Sequence, residues 1–393
     1  MSKWTPTPIK KIGRVVTGKT PPTNNPDNYG EGYMFVTPVE LHDNFVIESS
    51  SKNITELGLS TVRSNSLNGF SICVGCIGWD MGNVALIDRP CVTNQQINSI
   101  TDIRDEYNPY YVYYWLTLHK QTLFKKANVT RTPILNKTAF EDVLVPIPNR
   151  TIQDQLVEKI LPISRKIALN NRINAELERT ARTIYQYMFL QGERSGWQTE
   201  KLSTTSLCDL INTGVDRFDG EKIYLSTSEI SGEEITDHTI TIDYATRPSR
   251  ANMQPQMHSV WFAKMKNTVK HLLVNESNAV LTTDYLLSTG FAGFKCKPNT
   301  VYYLWNYICG DYFELQKDTL ATGATQQAIN DTDLASFSIL VPPQAELDRF
   351  TQIVEPYYRL INKNKFENKA LAEQRDFLLP LLMNGQVKVK EKV

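Results

Sequence analysis

The chain has 393 residues, 41% hydrophobic and 21% charged, a globular composition of roughly two to three domains that excludes wholesale disorder. Its 42 basic and 42 acidic residues cancel, which does not advertise a nucleic-acid binder. No apolar run nears the ~18 residues of a membrane span, no charged and then apolar leader opens the chain, and six cysteines do not make a disulfide framework; a cytoplasmic protein with no membrane partner is expected.

Residues 1–150 alternate short β-branched and aromatic runs with Gly, Asn, Asp and Pro. Tyr33–Val36, Phe70–Val74 and Val84–Ile87 carry strand signals, and 107–126 reads as helical. Three motifs invite chemistry. Cys73-Val74-Gly75-Cys76 is a lone pair without the second pair zinc needs. Gly75, Gly78 and Gly82 surround Trp79-Asp80-Met81 with no Gly-Lys-Ser/Thr behind them, so a tight turn is expected rather than a phosphate loop. Asn108-Pro109-Tyr110-Tyr111 is similar to the Asn/Asp-Pro-Pro-Tyr/Phe loop of adenine N6-methyltransferases but lacks its second proline, and Asn-Pro is also a plain helix start.

Residues 151–192 read as one long helix. Leu156, Ile160, Ile163, Ile167, Leu177, Ala181, Ile184 and Met188 recur at 3-4 spacing, the seam of a coiled coil, with Gly192 as a stop. Pro162 predicts a kink or restart. Residues 193–342 return to the strand-rich texture, with Ser259–Phe262 and Ala279–Leu281 as strands and 300–318 as helix. Residues 343–385 form a second long helix with its seam at Leu347, Phe350, Val354, Tyr357, Ile361, Leu371, Leu378 and Leu382, a proline at 356 and a stop at Gly385; 386–393 is a tail. Net charge is +2 over 1–150, +2 over 151–196, −6 over 197–342 and +2 over 343–393, so no arm is strongly basic.

The chain repeats itself. Shifted by 194 residues without a gap, 134–190 matches 328–384 at ten of 57 positions, Asn136/Asn330, Pro148/Pro342, Pro162/Pro356, Asn170/Asn364 and Asn174/Asn368 among them. Tyr110-Tyr111-Val112 resembles Tyr302-Tyr303-Leu304, and Thr17-Gly18 resembles Thr213-Gly214. A period near half the chain means two copies of one module. The fold class is therefore α+β: two similar globular domains, each followed by a long helix. Forty helical residues span ~60 Å, too long for a small core, so each helix needs the other as partner. Asn170 and Asn364 fall on the seam, where a polar residue fixes register.

No Ser/His/Asp or paired-carboxylate constellation emerges. What remains are loops dense in polar and cationic groups: Lys19 and Thr20; Asn94, Gln95 and Gln96; Lys125, Lys126, Asn128 and Arg131; Arg247 and Arg250; Lys264, Lys266, Lys270 and His271; and Thr325, Gln326 and Gln327. Asn and Gln pair bidentately with adenine, Arg and Lys with guanine, and all bind phosphates.

Globular domain, long helix, globular domain, long helix, as a tandem duplication, resembles the DNA-specificity (S) subunit of type I restriction–modification enzymes. The junctions carry it: Thr130-Arg131-Thr132-Pro133-Ile134-Leu135-Asn136 leading to Val145-Pro146-Ile147-Pro148 and Gln155, and Thr322 to Asn330 leading to Val341-Pro342-Pro343, with Arg349 where the family usually places glutamine. The resemblance implies two target-recognition domains reading the halves of a bipartite duplex sequence. It implies helices packed as an antiparallel coiled coil with pseudo-twofold symmetry, serving as a ruler and as the dock for two methyltransferase (M) subunits. S-adenosylmethionine would be held by those subunits, and ATP and magnesium by restriction (R) subunits; the chain itself would hold no cofactor, no metal and no catalytic residue. Two alternatives stay open from sequence: an enzyme with an undetected site, and a scaffold with two protein-binding heads.

Overall fold

The computed structural model describes residues 4–386 except 43, 130, 192, 193, 195, 237, 238 and 324–326. It divides into two units: Met1–Asn171 with Phe366–Val393, and Arg172–Lys365. The division falls within the long helices, so each unit holds one globular domain and a segment of both helices.

In the first unit, Thr5–Pro8 pairs antiparallel with Leu144–Ile147. An antiparallel sheet follows in the order Arg14–Thr17, Ile97–Thr101, Ser71–Gly75, Val84–Ile87. A second sheet, Lys52–Ile54, Tyr29–Val36, Cys91–Thr93, Ser66–Leu67, contains one parallel pairing, Met34–Val36 with Cys91–Thr93. Ser71–Gly75 and Val84–Ile87 are buried throughout because the first sheet is covered on both faces. Ile72, Val74, Leu86 and Ile100 pack towards the helix Pro109–Leu118, while Cys73, Ala85, Ile87 and Ile97 pack with Met34 and Val36, as the two-residue period of a strand requires. The same alternation sends Cys73 and Cys76 into different core clusters. Burial pushes both thiols up to about 12, so the pair is structural.

Asn108 is a plain helix cap: its side chain accepts from the amides of Tyr110 and Tyr111, and Pro109 opens the helix. The helix expected over 107–126 is two, Pro109–Leu118 and Lys120–Lys125, broken at His119. Its counterpart over 300–318 is Val301–Ile308 and Asp311–Leu320, broken at Gly310.

The second unit repeats the topology. Gln198–Lys201 pairs with Ser338–Val341. One sheet runs Cys208–Leu210, Phe291–Cys296, Ser259–Ala263, His271–Val274, and the other Ile240–Asp243, Glu221–Leu225, Tyr285–Ser288, Ala251–Met253, again with one parallel pairing. Ala279–Leu281 is not a strand: Asn275 and Asn278 close a capping box, and the chain turns into the short helix Leu281–Asp284. Residues matched by the repeat do matched work. Asn136 and Asn330 each cap a short helix. The Tyr111 hydroxyl donates to the Pro146 carbonyl and that of Tyr303 to Leu340, both at 2.6 Å. Asp154 accepts from Asn108 and Asp348 from Asn299, both at 2.7 Å.

The first long helix spans Arg150–Tyr185 and tightens no further: Gln186–Gln191 continue as a π-helix. The second spans Gln344–Met383, and Gly385 follows at φ +67. Both run unbroken through their prolines. Pro162 and Pro356 are exposed, as are the residues four before them, so each carbonyl left unpaired by the proline ring stands on a solvated side. The helices pair antiparallel within each unit. In the first, Asn170 donates to Asn368 at 2.8 Å while Leu156 and Ile160 share a core with Leu379 and Leu382. In the second, Asn364 donates to Asn174 at 2.8 Å while Tyr185 and Phe189 share a core with Phe350 and Val354. The repeat exchanges 170 with 364 and 174 with 368, so the two bonds are one contact made twice.

The buried stripe is wider than the expected seam. Leu156, Ile160 and Ala181 are buried, but Ile163, Ile167, Leu177, Ile184 and Met188 are half-buried, and Val157, Leu161, Tyr185 and Phe189 are buried beside them. In the second helix Tyr358 is buried rather than Tyr357 and Leu379 rather than Leu378, and Leu371 is half-buried. Each helix end faces both its partner helix and the globular domain of its unit, and two contact faces need a broad stripe.

Candidate nucleic-acid interface

Strand register gathers the first unit's loops at one edge. Thr17 lies opposite Asn98 and Gly75 opposite Ile97, so the segments after Thr17, after Gly75 and before Ile97 leave the sheet together. Gly18 donates its amide to the Ile97 carbonyl at 3.0 Å and Lys19 to the Thr93 carbonyl at 2.8 Å. Glycine is required there: a Cβ on Gly18 would lie 2.1 Å from the Asn94 carbonyl oxygen. Thr20 donates to the Gln95 side chain at 2.6 Å. Asn94 is buried and folds onto Gln96 through two hydrogen bonds, so it shapes the loop, while Lys19 and Gln95 are exposed. The Gln96 carbonyl accepts from Cys76, the Cys76 carbonyl from Leu135, and the Pro133 carbonyl from Gly78. This ties in the hairpin of Asn128–Val129 and Pro133–Ile134. Lys125, Lys126, Asn128 and Arg131 are exposed on or beside that hairpin. The expected loops therefore converge in the first unit.

The second unit builds the same edge. Lys266 donates its amide to the Gln327 carbonyl, and Ile329 to the Lys264 carbonyl. Gln327 and Ile329 match Pro133 and Leu135 at the 194-residue shift, and Lys266 and Lys264 follow the matched strand as Gly78 and Cys76 do, so these are the bonds of Gly78 with Pro133 and of Leu135 with Cys76 made again. Lys264, Lys266 and Lys270 are half-buried, and Lys270 donates its ammonium to the Thr227 carbonyl. Arg250 is exposed and its carbonyl accepts from Thr289 at 2.9 Å. Arg247 donates to the Ala251 carbonyl at 2.8 Å and lies 5.0 Å over the Tyr244 ring. Gln327 is exposed; Thr325 and Gln326 lie outside the described residues.

His271 does not belong to the surface. It is buried, its Nε2 lies 2.9 Å from Glu314, and its Nδ1 lies 3.6 Å from the Cys309 sulfur. It opens the strand His271–Val274, and alternation turns its ring inward. The Cys309, His271 and Glu314 order imitates a nucleophile triad, but burial pushes the thiol well above its ordinary range, so it supplies no thiolate. Among the described residues no cluster of His, Cys, Asp and Glu is arranged to hold a metal ion.

One part of the edge was missed from sequence. Thr37 to Glu40 and Ser226 to Glu229 each form a capping box at the end of the strand that carries the parallel pairing. Ser/Thr-x-x-Glu is a legible signature, and its recurrence marks another equivalence of the copies. Glu40 is buried; burial opposes its charge, yet hydrogen bonds from Ser51 and Thr37 hold its carboxyl down at about 2. A depressed carboxylate contributes stability above its ordinary pKa of 4.5, lost as pH falls towards 2. Glu40→Gln is expected to remove about 2–3 kcal/mol at pH 7 and to flatten the acid limb of a stability–pH curve measured by denaturant unfolding; an unchanged acid limb would contradict this.

Residues 1–179 match the type I restriction modification DNA specificity domain. A type I restriction enzyme MjaIX specificity subunit from Methanocaldococcus jannaschii is 23% identical over 416 aligned residues, covering 99% of this chain and 94% of that one. The likeness to specificity subunits runs along nearly the whole chain, and the domain match covers its first 179 residues. A second relative, the HindI specificity subunit of Haemophilus influenzae, is 28% identical over 177 residues, 44% of this chain and 38% of its own. The crystal structure of the type I S subunit from M. genitalium has the same fold, with a TM-score of 0.58 at 14% identity over 97% of this chain and 96% of that one. Two residues before Gln155, at the junction of domain and helix, stands Gln153. Gln153 is buried, accepts from the Asn108 amide at 2.7 Å and donates to the Pro148 carbonyl at 3.0 Å. Leu347 stands at its matched position in the second copy. No helix among the described residues is long and apolar enough to cross a membrane.

Proposed function

We propose that this chain is the target reader of a type I restriction–modification assembly: each unit reads one half of a bipartite, asymmetric duplex sequence. The paired helices set the spacing between half-sites and dock two methyltransferase subunits, which restriction subunits join. S-adenosylmethionine, ATP and magnesium are used on those partners, and this chain reacts with nothing. One observation carries the reading: the two edges share backbone hydrogen bonds yet present different side chains, Lys125, Lys126 and Arg131 in one and Lys264, Lys266 and Gln327 in the other. A shared frame with altered contacts suits two readers of unlike sequences, because base-edge contacts specify while phosphate contacts position.

A neutral chain neutralises few phosphates, so most affinity comes from the partners. The test is co-expression with the M subunits and mapping of N6-methyladenine across the host genome. A split motif is expected, and exchanging residues 1–150 for those of another family member is expected to change one half only. A continuous motif, or change in both halves, would refute the assignment. So would equal affinity for duplex with and without the M subunits.

A further inference from the structure

The turn joining Ser71–Gly75 to Val84–Ile87 holds Trp79 at 69% exposure. Among the described residues it is the one tryptophan that is mostly exposed. An exposed indole adds nothing to the core, yet the turn around it is built with care. Asp80 accepts from Lys120 at 2.7 Å and from Asn83 at 3.0 Å, and lies 3.1 Å from His42. Lys120 donates again to Asn83 at 2.9 Å. Met81 is buried in the core, Gly82 donates to Gly75 at 2.7 Å, and Gly78 donates to Pro133 in the cationic hairpin. Gly82 has φ +97, and a Cβ there would lie 2.6 Å from Lys120. The ring itself touches Phe124 in a tilted contact at 6.1 Å and is otherwise open.

The turn matched in the second unit, 264–270, carries Lys264, Lys266 and Lys270 and no aromatic residue. A partner binding both copies alike would call for the same residue in both turns. A feature confined to one copy follows what differs between the copies, the sequence each reads.

We propose that Trp79 stacks on a nucleobase of the duplex held at the first unit's edge, and so helps determine the specificity of that half-site. This rests on the function proposed above. Lys125, Lys126 and Arg131 flank the edge with positive charge that attracts the duplex, and the indole enters at a deformable base step, where sequence decides how cheaply stacking is disturbed. The locked turn lowers the entropy lost on binding.

The experiment uses the full chain with its M subunits and a duplex carrying the methylated motif mapped in the wild-type strain. Trp79→Ala is expected to weaken binding about ten-fold to a hundred-fold, with unchanged thermal unfolding and unchanged co-purification of the M subunits; Trp79→Phe is expected to stay within about five-fold. The duplex is expected to quench the tryptophan fluorescence of the wild type, and Trp79→Phe to abolish the quench. Wild-type binding by Trp79→Ala, a quench that survives in Trp79→Phe, or loss of M-subunit co-purification, which would make the contact a protein one, would each overturn the stacking role and leave the two-reader assignment standing. A wild-type chain that directs no methylation would overturn that assignment instead.

Discussion

Glu314→Ala is expected to destabilise the second unit by about 3–5 kcal/mol. Its neighbour Lys317 is fully buried, with its ammonium 2.5 Å from the Glu314 carboxylate and donating to the Thr268 carbonyl at 2.7 Å. Burial opposes the charge on Glu314, but hydrogen bonds from His271 and Lys317 hold its carboxyl below the usual range. Removing the carboxylate leaves a buried ammonium with one neutral acceptor, whereas removing both charges leaves none to solvate. The double variant Glu314→Leu, Lys317→Met is therefore expected to recover most of the loss. Denaturant unfolding of the single and double variants checks this; a single variant within 1 kcal/mol of the parent would refute it. Thr268 lies in the cationic turn, so the single variant should also weaken recognition of one half-site.

Gly18→Ala is expected to cost about 3 kcal/mol or to displace its segment. The nearest atoms to the new methyl are backbone, the Asn94 and Thr93 carbonyl oxygens at 2.1 and 2.3 Å, and a backbone oxygen cannot rotate aside as a side chain can. Displacement would break the hydrogen bonds that the Gly18 and Lys19 amides donate to the Ile97 and Thr93 carbonyls, about 1 kcal/mol each, and release the Thr20 contact with Gln95. Hydrogen exchange at Gly18 and Lys19, read beside DNA binding, checks this. Native protection of those amides with full binding would show that the edge tolerates a methyl group.

The repeat was legible because identical residues hold identical posts. Asn136 and Asn330 cap, and Asn170, Asn174, Asn364 and Asn368 pair across the helices. Local signals of that kind survive in a bare sequence. Seam phase did not: Tyr357 and Tyr358 both fit a 3-4 pattern, and only the second contact face of the helix selects Tyr358. His271 was misplaced for a similar reason, since a histidine after three lysines reads as a basic run until strand alternation turns its ring inward. Convergence of the Lys19, Gln95 and Arg131 loops depends on non-local register, which composition does not encode. Trp79 was visible as a turn residue, but its exposure was not.

The first unit closes its core with Leu379, Leu382 and Met383, packed beside Leu156, Val157, Ile160 and Leu161, whereas the second unit is one uninterrupted stretch, Arg172–Lys365. Synthesis at the usual ribosomal pace separates the two halves of the first core by roughly 10 to 40 s. The later-made unit can thus finish before the earlier one, whose waiting apolar helix face is the natural client of a chaperone in the interval.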